Sequence, residues 1–247
     1  PALHGDCGRD GTGRPPELPM SNLPVAALRW HALDWPDFVA ELEAYRERFF
    51  DGGVNTQELD YIRCLRAFEG YDSAARAART RSLVAFLNRW DCRLATQMAA
   101  QVLREWILGH ADRLDALRTT SIYDASFLDH LDEIVALYQD LMQLRQPRPG
   151  LHNWSDACAS KALGQLAPSA IVMWDNKIKA YAGGDYRTFM FDMHELAVRL
   201  IAESSIGAGP AVEVWLQERL HYRRRKTLAK FLDEYNWHVA VGRSRRR

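Results

Sequence analysis

The chain has 247 residues, 47% of them hydrophobic and 26% charged, with 32 basic side chains against 32 acidic ones. This is the composition of an ordinary globular protein with a sizeable core, and zero net charge leaves any nucleic-acid binding to the distribution of charge rather than its sum. No apolar run reaches the ~18 residues of a membrane helix and no signal-peptide pattern is visible, so a soluble, cytoplasmic protein is expected.

Residues 1–24 are rich in Gly and Pro and read as a disordered leader, with Met20 a candidate start. From Trp35-Pro36 onward the pattern is helical: Phe38, Leu42, Tyr45 and Phe49 recur at helical spacing until Asp51-Gly52-Gly53. Thr56 to Phe68 predicts a second helix, Asp72 or Ser73 caps a third running to Trp90, and Leu94 to Leu108 gives a fourth. Gly109-His110 interrupts the pattern, and a long helix is predicted over Ser126 to Leu144. Gln146-Pro147-Arg148-Pro149-Gly150 is the clearest connector. A helix capped by Asp185 reaches Ala202, and Gly207-Ala208-Gly209-Pro210 precedes a last helical stretch over 211–236. Period-two alternation is confined to Ala170–Met173, and there is no internal repeat. The expected fold is all-α: one domain over 25–247, a two-lobed bundle with candidate lobes 25–146 and 150–240.

The segment Leu151 to Ala182 carries the chemistry. It reads as a helix, a short apolar connection, and a second helix opened by Trp174-Asp175-Asn176. Asp175 follows the apolar run Ala170–Met173, so its backbone emerges from the core where the carboxylate is presented. As an N-cap it accounts for itself. A capped carboxylate is also pre-oriented, and a fixed anion stabilises the positive charge that builds on a sugar when its N-glycosidic bond breaks. Lys161, fourteen residues upstream among small neighbours, is open to three readings: a snorkelling surface residue, an amine nucleophile or a phosphate-holding cation.

These residues resemble the core of the helix-hairpin-helix DNA glycosylases. That family has a hairpin of pattern L-P-G-V-G-x-K-T-A, an apolar stretch, then V-D opening the next helix. Here stand Leu151-His152-Asn153-Trp154-Ser155-Asp156-Ala157-Cys158-Ala159, then Met173-Trp174-Asp175. The resemblance puts Asp175 on the family's catalytic Asp and implies a helix-hairpin-helix-like core. Asn153 and Ser155 replace the hairpin glycines and Ala157 holds the usual lysine position, which favours a monofunctional enzyme that uses water. The S-K-x-L…W-D signature is similar to a divergent bacterial branch with members in anti-phage defence. Those members remove bulky modified cytosines, such as glucosylated hydroxymethylcytosine, and leave an abasic site.

The resemblance implies base flipping, with His152, Asn153, Trp154, Trp174, Asn176 and Tyr181 as base-pocket candidates and Tyr123 as a further contact. Candidates for gripping DNA phosphates are Lys177, Arg223, Arg224, Arg225, Lys226 and Lys230, beside Arg219 and the terminal Arg243 to Arg247. A second basic set is Arg76, Arg79, Arg81 and Arg89. His194 reads as structural. The four cysteines never form CxxC and no metal-binding pattern appears, so no metal and no cofactor is expected. The expected partner is DNA, bound by a monomer. The alternative is a non-catalytic helical DNA-binding or adaptor protein. An open, base-sized pocket lined by Asp175 and flanked by basic residues separates the two readings.

Overall fold

Short polar side chains open many of the helices, as an N-cap should. Asp34, Asn55, Asp72, Ser155, Asp175 and Asp185 each accept a hydrogen bond from a backbone N–H of the first turn that follows. A computed structural model describes residues 25–50, 55–144 and 154–244. Its α-helices are α1 (Val25–Ala32), α2 (Trp35–Phe49), α3 (Thr56–Phe68), α4 (Ser73–Ala77), α5 (Thr80–Arg89), α6 (Thr96–Gly109), α7 (Ala111–Arg118), α8 (Leu131–Met142), α9 (Asp156–Leu166), α10 (Asn176–Ala182), α11 (Tyr186–Ser204), α12 (Gly209–Arg219) and α13 (Leu228–Ser244). No strand occurs among the described residues, and none of their helices is long and apolar enough to cross a membrane. The protein is all-α.

Several predicted helices divide, and tertiary contacts explain why. The stretch predicted over 72–90 breaks at Ala78–Arg79 into α4 and α5. There Arg76 turns inward and donates to the carbonyls of Phe68 (3.2 Å) and Leu166 (2.5 Å). The stretch predicted over 211–236 breaks into α12 and α13. His221 takes a left-handed backbone (φ 51°), Gln217 bonds the backbone of Tyr222 and Lys226, and Glu213 accepts from Leu228 N at 2.8 Å. The long helix predicted from Ser126 begins as a 3-10 turn over Ala125–His130 and becomes α8 only at Leu131. Helices α1 and α7 have no counterpart among the predicted helices.

The connector at 146–150 does not divide the packing. Helices α1 and α2 cross to α10, α11 and α13, while α9 packs against α3, α5 and α8. One cluster of buried side chains runs from Trp30 through Leu83, Leu137, Leu163 and Met193 to Val239. The hairpin turn expected at 151–155 lies outside the described residues except for Trp154 and Ser155, as do the leader 1–24 and the terminal 245–247.

Candidate functional site

Helix α9 is buried over its whole length from Ala157 to Leu166. The irregular segment after it returns alongside and is pinned by Ser160. The Ser160 hydroxyl donates to Trp174 O (2.9 Å) and accepts from Trp174 N (3.0 Å). The next residue, Asp175, has extended backbone (φ −93°, ψ 171°), and its Oδ1 accepts from Lys177 N (2.8 Å) and Ile178 N (2.9 Å). An ion pair between Lys179 and Asp156 ties α10 back to the start of α9.

Asp175 and Lys161 meet at one cleft, whose walls also include Trp90, Lys230, Asp233, Glu234 and Trp237. Lys161 is buried, 9% exposed, and is neither solvated nor snorkelling. Its ammonium donates to Trp90 O at 3.2 Å and lies 5.3 Å from the centre of the Trp90 ring, so its partners are a carbonyl and an aromatic face rather than a carboxylate. The cleft has a volume of about 20 Å³. That admits a water, for which ~10–15 Å³ suffices, and excludes a nucleobase in this conformation. The expected base-sized opening is not present. Nor is Asp175 sealed behind apolar side chains, since charged and aromatic groups dominate its surroundings.

Several candidates stand elsewhere than expected. Trp174 is 1% exposed and packs on Phe189, ring centres 4.4 Å apart, with Tyr186 at its edge. Its side chain belongs to the core, because the backbone that turns Asp175 outward turns its predecessor inward. Trp154 is buried at 3% exposure. Tyr181 lies edge-on to Trp30 at 6.4 Å, away from the cleft walls. Asn176 and Lys177 are exposed at the start of α10. His152 and Asn153 lie outside the described residues. Tyr123 covers Gly209 so closely that a Cβ there would come within 2.4 Å of its ring. His194 is buried, bonds Ile122 O through Nδ1 (2.6 Å) and stacks on Phe127.

The basic residues sort into two kinds. Arg223, Arg224 and Arg225 are exposed in the turn before α13. Lys226 and Lys230 are not surface cations, which removes both from the phosphate-gripping set. Lys226 is fully buried between Glu58 (2.8 Å) and Glu234 (2.6 Å) and lies over the Tyr222 ring. Lys230 pairs with Asp233 (2.6 Å) and Glu234 (3.6 Å). Burial disfavours the Lys230 charge, yet these carboxylates hold its pKa well above the usual lysine value. In the other set Arg76 is buried, Arg79 lies over Tyr71, and Arg89 pairs with Asp60 at 2.5 Å.

Sequence reasoning missed Trp90, Trp237, Asp233 and Glu234 as cleft residues and Ser160 as the clamp. A signal existed for part of this: Lys230-Phe231-Leu232-Asp233-Glu234 places a lysine and two carboxylates at helical spacing among apolar neighbours. No protein-family model, curated protein or solved structure matches the chain.

Proposed function

We propose that this protein is a DNA glycosylase that cleaves the N-glycosidic bond of a modified base, with glucosylated hydroxymethylcytosine of phage DNA as the substrate to try first. The observation that carries the reading is the meeting of Asp175 and Lys161 at one cleft, the carboxylate oriented by its own helix start. In this role Asp175 faces the oxocarbenium-like sugar. At ~4 Å and an effective dielectric of ~20 that attraction is worth about 4 kcal/mol, roughly three decades of rate. Lys161 supplies a buried ammonium to the same cleft, and Arg223, Arg224, Arg225 and Lys177 supply exposed charge for phosphates. Admitting a flipped base requires the cleft to open; among its walls Gln57 is exposed and Trp90, Asp175 and Trp237 are half-buried.

The water-sized cleft also favours a second reading, a non-catalytic helical DNA-binding or adaptor protein whose buried charges are structural. Incubation with unmodified phage DNA and with phage DNA carrying glucosylated hydroxymethylcytosine separates the two. Abasic sites and released base in the modified DNA support the glycosylase. DNA bound without base release from either sample supports the adaptor.

A further inference from the structure

A second carboxylate, Asp233, lines the cleft with Asp175. Asp233 comes from α13, is 6% exposed, and has Oδ2 held at 2.6 Å by Lys230. Asp175 and Asp233 share the walls of the same cavity with Lys161, and its volume of about 20 Å³ is that of a single water site. An empty cavity of this kind is normally apolar, whereas this one offers an ammonium donor and carboxylate acceptors, the set of partners a buried water takes. The two carboxyl groups live in different environments. Asp175 is half-buried and fixed by backbone N–H groups. Asp233 is desolvated; burial raises its proton affinity, Lys230 opposes that, and the charges of Glu234 and Asp175 add to it. Carboxyl pairs set apart in this way divide labour in glycosyl hydrolysis.

We infer that this cavity seats the hydrolytic water and that Asp233, oriented by Lys230, is the carboxylate that takes its proton. The inference rests on the glycosylase reading and adds a catalytic residue to it. The C1′–N bond breaks and its electron pair leaves on the base nitrogen, and Asp175 stabilises the oxocarbenium-like sugar that results. The water oxygen then bonds to C1′ as its proton passes to Asp233, and that proton is the one the departed base regains. Lys230 is a positioning residue.

The test uses the full chain and phage DNA carrying glucosylated hydroxymethylcytosine, with single-turnover release read beside melting temperature and DNA affinity. Asp233→Ala is expected to slow release about 100-fold or more, the range of a lost general base, with DNA affinity retained. Added formate is expected to restore release by occupying the vacated carboxylate position next to Lys230, and chloride is not. A folded Asp233→Ala that releases base at the wild-type rate, or a loss that formate does not relieve, overturns the inference. If Asp233→Ala fails to fold, Lys230→Met with Asp233→Ala removes both charges together. Wild-type release by that folded variant overturns the inference, and loss of release supports it. Absence of release by the wild-type protein overturns the glycosylase reading itself, and the inference with it.

Discussion

The Ser160 hydroxyl bonds both the N–H and the C=O of Trp174, fourteen residues away, and so takes the place of a neighbouring strand for a segment that has none. Trp174 immediately precedes Asp175, so the clamp fixes where the carboxylate leaves the core. Ser160→Ala leaves two buried backbone groups without partners, each costing about 1–3 kcal/mol. Chemical denaturation is expected to show a loss of about 2 kcal/mol or more. A variant as stable as wild type would show that the hydroxyl is dispensable.

The buried and exposed cations before and on α13 separate by experiment. Lys226→Met strands Glu58 and leaves Glu234 only Tyr222 OH and the longer contact to Lys230, and breaking a buried pair in this way costs about 3–5 kcal/mol. Its effect is expected in urea unfolding, with the salt dependence of DNA binding unchanged. Replacing Arg223, Arg224 and Arg225 with Ala is expected to do the reverse. Stability holds, affinity falls, and the log–log salt slope flattens by up to ~0.9 for each phosphate that is no longer neutralised. A flattened slope from Lys226→Met would contradict the assignment.

Much of the fold is legible in the sequence because helix starts and apolar periodicity are local. Asp72, Asp175 and Asp185 announce their helices within four residues of sequence. The breaks at Arg79 and His221 are not legible, since each serves side chains that reach partners far along the chain, as Arg76 does to Leu166. The site divides in the same way. Asp175 and Lys161 lie on one short segment and can be paired from sequence. Trp90, 71 residues from Lys161, and Asp233 on the last helix are brought in only by folding. Lys226 and Lys230 are misplaced by sequence reasoning because a basic run looks solvated until the carboxylates facing it are known.

Asp192 gives a pH-dependent prediction. Burial, and then the charge of Glu195, push its carboxyl up to about 6. The folded form therefore binds this proton more tightly than the unfolded chain, whose aspartates titrate near ~3.9. The proton's contribution to stability is complete below about pH 4 and is lost as pH rises to about 6. Asp192→Asn is expected to stabilise the protein by about 2–3 kcal/mol above that window and to change little at about pH 4. Melting curves at the two extremes check this, and an equal effect at both would contradict it.

The central claim is that Asp175 works through its charge. Asn is also a good N-cap, so Asp175→Asn is expected to keep the start of α10 and the melting temperature, and DNA binding is expected to hold or tighten. What the substitution removes is the negative charge that the proposed function sets facing the sugar, worth about 4 kcal/mol at an effective dielectric of ~20. The measurement is single-turnover base release from phage DNA carrying glucosylated hydroxymethylcytosine, for wild type and Asp175→Asn side by side. The account predicts a fall of roughly three decades with folding and binding intact. Release at near the wild-type rate by a folded, DNA-bound variant would contradict it and leave Asp175 as a helix cap.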